Sequence, residues 1–97
     1  MNALEYIVHH KVEFLKFLKS KFPLYHLSNI FFRDLHFGVS AFLKQHGKKV
    51  SYTEAETVAH AVGDMFEKDG TFKRIDHQSW LLMYPDFALP RAEKKAS

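Results

Sequence analysis

The sequence predicts a mostly helical α+β domain, three helices followed by a C-terminal β-hairpin. Three observations carry that expectation. Apolar residues recur at helical spacing over most of residues 3–69, with capping signals where the periodicity starts. Pro23, Gly47 and Gly70 punctuate the pattern at intervals that fit three helices. After Gly70 the period changes from that of a helix to that of a strand.

The first helix is expected over Ala3–Lys21. Asn2 is an N-cap residue and Glu5 stands three positions on, the arrangement of a capping box. Leu4, Ile7, Val8, Phe14, Leu15, Leu18 and Phe22 share one face, and Pro23 stops the helix. Tyr6 and Phe17 lie off that face. Lys11 points into the apolar stripe, where its stem can be buried. Pro23–Leu27 reads as a connector.

Ser28 or Asn29 is the expected cap of a second helix over Asn29–His46, with Gly47 as its stop. Its main stripe is Phe31, Phe32, Leu35, Val39, Phe42 and Leu43. Ile30, Phe37 and Ala41 form a second patch, and Gly38 leaves room for a neighbouring helix. The third helix follows a short basic loop, with Ser51–Glu54 and Thr53–Glu56 as overlapping capping boxes. Ala55, Val58, Ala59, Val62, Met65 and Phe66 form its stripe, and Gly63 lies off it.

Thr71–Ile75 and Ser79–Tyr84 read as strands joined by a turn at Asp76–Gln78. The second strand is apolar on both faces, so it needs cover on both. Residues 1–90 are expected to form one domain, and residues 91–97 a polar, disordered tail.

Composition narrows the chemistry. The 97 residues include ten Phe, four Tyr, one Trp and no Cys. Disulfide scaffolds, thiolate metal sites and cysteine nucleophiles are therefore excluded. The net charge of +3 is uneven: residues 1–50 hold eight Lys/Arg against three Asp/Glu, and residues 51–97 six against eight. No apolar run approaches the roughly 20 residues that cross a bilayer, and the first residues lack a basic signal-peptide start. No membrane association and a cytoplasmic location are the expectations.

The order of elements resembles that of winged-helix domains, over about Asn2–Tyr84. The resemblance rests on that order, on the capped third helix after a short loop, and on the hairpin that follows it. It implies that the third helix reads a DNA groove and the hairpin lies against phosphate. The reading positions would be Tyr52, Thr53, Thr57 and His60, with Lys48, Lys49, Lys73 and Arg74 on the backbone. The sequence departs from that use. The third helix carries Glu54, Glu56, Asp64 and Glu67 against Lys68, and carboxylates facing phosphate are repelled. It offers no Arg, Asn or Gln for bidentate base contacts, and the hairpin is apolar. Winged-helix domains also serve as protein-interaction modules, which these residues suit better.

Glu5–His9–Glu13 and Glu56–His60–Asp64 each flank an imidazole with carboxylates at i, i+4, i+8, a donor set that can take divalent ions. Their ordinary role is a solvated helix face. Asp76, His77 and Ser79 are adjacent, but a triad needs spatial geometry, and Asp and Ser also suit a turn. Phe72, Lys73, Arg74 and Trp80 could stack single-stranded nucleic acid, or could simply be the core side of the hairpin. No catalytic site and no cofactor are expected, a metal-dependent enzyme being the remote alternative. Aromatic residues on two faces of the first two helices imply a partner. The expectation is a self-associating interaction module using Tyr6, Phe17, Ile30, Phe37 and Trp80, its partner a second copy or another protein. The alternative is nucleic-acid binding through Lys48, Lys49, Thr53, Thr57, Lys73 and Arg74.

Overall fold

The computed structural model describes residues 2–88. The fold is α+β and mostly helical. In chain order its elements are α1 (Ala3–His9), α2 (Lys11–Lys21), β1 (Asn29–Phe31), α3 (Phe32–Gln45), α4 (Tyr52–Lys68), β2 (Phe72–Asp76) and β3 (Ser79–Leu82). A 3-10 turn, Pro85–Phe87, follows. The strands form one antiparallel sheet in the order β1-β3-β2. Leu89, Pro90 and the predicted tail 91–97 lie outside the described residues.

Local signals placed most of the boundaries. Asn2 and Glu5 form the reciprocal capping box of α1, and Ser51 and Glu54 that of α4. Thr53–Glu56 is not a cap, because α4 has already begun at Tyr52. Gly47 and Gly70 follow the ends of α3 and α4 with φ of 74° and 86°, the left-handed region a Cβ disfavours.

Three expectations need correction. The first helix is two helices, α1 and α2, meeting at His10 (φ −111°, ψ 37°). The His10 ring donates through Nδ1 to the Tyr6 carbonyl at 2.8 Å and stacks on the Tyr6 ring. A side chain bonded to the carbonyl four residues back competes with the helix ladder and bends it.

The second helix does not start at a Ser28 or Asn29 cap. Asn29–Phe31 is a strand, and α3 begins at Phe32 without a side-chain cap. Ile30 pairs with Trp80 and is 3% exposed. Burial of Ile30 beside the indole overrides the capping potential of the polar pair. The extra strand also gives Ser79–Leu82 a second hydrogen-bonded neighbour, while Leu81 stays half-buried on the outer face. It is the central strand, flanked by β1 and β2, with Trp80 and Leu82 buried.

Gly63 is not off the packed face of α4. It is buried, and a Cβ there would lie 2.6 Å from the Trp80 ring. Gly38 has the role expected of it. A Cβ at Gly38 would meet a δ-methyl of Leu18, so the glycine lets α2 approach α3.

The core lies between the helices and one face of the sheet. Phe14 of α2 meets Phe42 of α3 edge-on at 5.2 Å, and Phe66 of α4 meets Phe72 of β2 edge-on at 5.3 Å. The segment after β3 is fastened back: Tyr84 donates its N–H to His26 Nδ1 at 3.0 Å, and His26 donates its own to the Phe87 carbonyl.

The two close approaches are unequal, because a Leu methyl can rotate away and an indole cannot. Gly63→Ala should destabilise the fold by about 1–3 kcal/mol, the range for overpacking a filled core. Gly38→Ala should cost less. Urea unfolding of both variants beside the wild type measures the difference.

Candidate interaction surface

The residues expected to meet a partner divide into two groups. Ile30 and Trp80 are 3% and 2% exposed, inside the core. Tyr6 and Phe17 are half-buried and packed against it. The Phe17 ring meets Phe42 edge-on at 5.5 Å, and the Tyr6 ring lies 6.1 Å from Phe42 and 5.6 Å from His46. The C-terminal half of α3 covers the off-stripe side of α1 and α2, so four of the five are used within this chain. Phe37 is different: it is 54% exposed.

Phe37 belongs to a strip that the sequence reading did not assemble. Its ring meets Phe22 edge-on at 5.9 Å. On one side, Phe37 lines a shallow depression with Arg33, His36, Ser40 and Tyr52. Tyr52 is the most exposed of the large apolar residues, 75%, and sits edge-on to His36. On the other side, Phe22 lines an apolar groove with Pro23, Leu24 and Phe31, over a floor of Leu18, Ile30 and Leu35. Asn29 and Asp34 are its polar members. Its volume of about 140 Å³ is close to that of an apolar cavity that binds benzene, so it has room for one aromatic or branched side chain. Phe31 is half exposed at its rim. The signal for Phe31 was the alternation out-in-out over Asn29, Ile30 and Phe31, which reads as strand once Trp80 is known to sit opposite Ile30.

The candidate nucleic-acid residues do not converge. Lys48 and Lys49 precede α4, and Lys73 and Arg74 follow it. Seventeen helical residues, about 25 Å, separate the two pairs. The exposed residues between them include Glu54, Glu56, Asp64 and Glu67. Arg74 binds Glu67 at 3.1 Å, lies 3.8 Å from Asp64 and covers the Trp80 ring. Its charge is matched within the chain. Lys48 lies 4.9 Å above the Tyr6 ring, while Lys49 and Lys73 are exposed. Thr53 and Thr57 line a shallow groove against Asn2, Ala3 and Leu4, and the Thr57 hydroxyl donates to the Thr53 carbonyl. His60 stacks on Phe32 at 4.1 Å.

The remaining constellations have structural partners. The bend at His10 separates Glu13 from Glu5 and His9, so the first Glu-His-Glu series does not run along one continuous helix. Among the described residues, no group of three His, Asp or Glu is placed to hold a metal ion. The described helices include none long and apolar enough to cross a membrane. Asp76 Oδ1 accepts from the Gln78 N–H at 2.9 Å and from the Ser79 hydroxyl at 2.8 Å. These bonds fasten the hairpin turn and occupy the one hydroxyl that a triad would need.

The chain matches no family model, no curated protein and no solved structure. The surface therefore has to be read from its own chemistry.

Two carboxyls next to this architecture titrate below their ordinary range. The Gln78 N–H and the Ser79 hydroxyl hold the Asp76 carboxyl down. At Asp69, burial pushes upward, but hydrogen bonds from Thr71 and Lys11 outweigh it and the net direction is down. A lowered folded pKa means stability that is present above the unfolded value, about 3.9, and lost as pH falls through the folded one. Wild-type stability should fall on acidification below about pH 4. Asp69→Asn and Asp76→Asn should each flatten that fall, as read from urea midpoints at pH 6 and pH 3.

Proposed function

We propose that this chain is a non-enzymatic interaction module that self-associates through the aromatic strip Tyr52–Phe37–Phe22–Phe31. The observation that carries this reading is the continuity of the strip. Phe37 joins an exposed depression on one side to an apolar groove on the other. Scattered exposed apolar residues are ordinary, whereas a connected patch with a groove is the form of an interaction site. Aromatic residues with Arg at a patch centre are the residue types that dominate binding energy, and Arg33 lies beside Phe37 with its side chain 90% exposed.

The site expected from the sequence thereby moves. Phe37 stays, Tyr6, Phe17, Ile30 and Trp80 leave it, and Phe22, Phe31 and Tyr52 enter. The nucleic-acid alternative has less support: the cations stand at opposite ends of α4, and the exposed carboxylates between them would face phosphate.

Static light scattering over a dilution series tests the reading. The wild type should shift from monomer toward dimer as concentration rises. Phe37→Ser should raise the dissociation constant by about tenfold or more, the scale for removing a central aromatic. Lys73→Ser, away from the strip, should leave it unchanged. A wild-type chain that remains monomeric at millimolar concentration overturns the proposal.

A further inference from the structure

The two edges of the sheet are finished differently, and the difference points to a mode of assembly. The outer edge of β2 presents Lys73 and Arg74, and its ladder is disturbed between Arg74 and Asp76. Charged side chains and bulges are the means by which sheets discourage edge-to-edge pairing. The outer edge of β1 has neither. Its three residues are Asn29, Ile30 and Phe31, regularly paired to β3 on the inner side.

The hydrogen-bond parity of β1 fixes which groups look outward. Leu82 donates to the Ser28 carbonyl, and Phe32 donates to the Gln78 carbonyl. Even-numbered residues therefore bond inward to β3, and Asn29 and Phe31 turn their backbone groups to the outer edge. The Phe31 carbonyl caps α3, so the outward groups free to pair are the Phe31 N–H and the Asn29 N–H and C=O.

We infer that a second copy of this chain pairs its β1 antiparallel to this one about a two-fold axis at Ile30, extending the sheet to six strands. This rests on the self-association proposed above and names its geometry. A two-fold axis there places Asn29 opposite Phe31 of the second copy, so each Phe31 N–H donates to the other copy's Asn29 carbonyl. Phe31 of the second copy then stands beside Asn29, on the face of the sheet turned away from the core. Each copy supplies both the free donor, Phe31 N–H, and the free acceptor, Asn29 C=O, which is what an isologous contact requires. The paired segments, Asn29–Phe31, carry no charged side chain. No like charges meet. The strand is short, so the backbone bonds set register and the exposed aromatic strip that Phe31 belongs to supplies most of the affinity.

The chain has no native Cys, so introduced thiols report cleanly. Asn29→Cys and Phe31→Cys proteins, mixed and oxidised, should form an interchain disulfide, because the hydrogen-bonded pair lies about 5.5 Å apart at Cα. Asn29→Cys alone should not, because positions 29 and 29 of the two copies are diagonal neighbours beyond disulfide reach. In the unmodified protein, the Phe31 amide should exchange about tenfold more slowly once about nine-tenths of the chain is dimer, while the Arg74 amide, on the outer edge of β2, is unchanged. A dimer by light scattering with no cross-link in the mixture and no slowing at Phe31 overturns the strand pairing and leaves self-association standing. Slowing at Arg74 instead of Phe31 places the contact on β2 and also overturns it. A chain that stays monomeric overturns both readings.

Discussion

Trp80 is where the helices, the sheet and the hairpin are joined. It sits in the central strand, opposite Ile30 on one side and Arg74 on the other. Its six-membered ring rests against the bare backbone of Gly63, so α4 and the sheet are closer than any side chain at 63 would allow. Phe72 and Phe32 lie beside it, 5.4 Å and 6.5 Å between ring centroids. The indole N–H donates to Glu67 at 3.3 Å, and the same carboxylate oxygen binds Arg74, whose guanidinium covers the ring. The largest side chain in the protein is thus buried without an unpaired polar atom, which is the condition for burying an indole at low cost.

That packing decides which aromatic residues are left for a partner. Because Trp80 draws Ile30 inward, alternation along β1 turns Phe31 outward. Because α3 starts directly after β1, the phase of α3 is set too. Val39, Phe42 and Leu43 face the core, and Phe37 faces away from it. The exposed strip is therefore a consequence of the tryptophan's position. The off-stripe residues Tyr6 and Phe17 are covered for a different reason. The Gly38 notch lets α2 lie close to α3, bringing Phe42 against Phe17 and the end of α3 against Tyr6.

What was legible in the sequence was whatever is decided within a few residues. The Asn2–Glu5 and Ser51–Glu54 boxes, the Gly47 and Gly70 stops and the Asp76 turn depend on local hydrogen bonds and backbone freedom, and they stand where the sequence placed them. What was not legible depends on residues far apart. Ser28–Asn29 is a sound capping pair locally, and only the strand fifty residues later makes Ile30 part of a sheet. Ile30–Phe31–Phe32 is a short apolar run, which periodicity cannot assign to helix or strand. Periodicity places Gly63 off the packed stripe of α4, because its reason for being small is an indole in β3. The same limit applied to the candidate site. Tyr6 and Phe17 do lie apart from the main apolar stripe, and Ile30 belongs to a strand instead of a second helix face; one chain can cover a second apolar face as well as a partner can.

The two sheet edges carry the last step. An edge strand must be protected or used, since its outward N–H and C=O groups form a template for another strand. On β2 the protection is electrostatic and geometric, and it coincides with the tryptophan's support: Arg74 serves Glu67, the indole and the edge at once. On β1 no comparable duty calls for a charge, because Asn29–Phe31 is bounded by the His26–Leu27 turn and by the start of α3. Arg33, the nearest cation, projects from the helix and leaves the strand uncovered. A substitution of Asn29 or Phe31 to Lys would close that edge without disturbing Ile30 or its pairing with Trp80. The chain instead carries a half-exposed Phe31 there, with free backbone groups on either side of Ile30, as an edge that is used would.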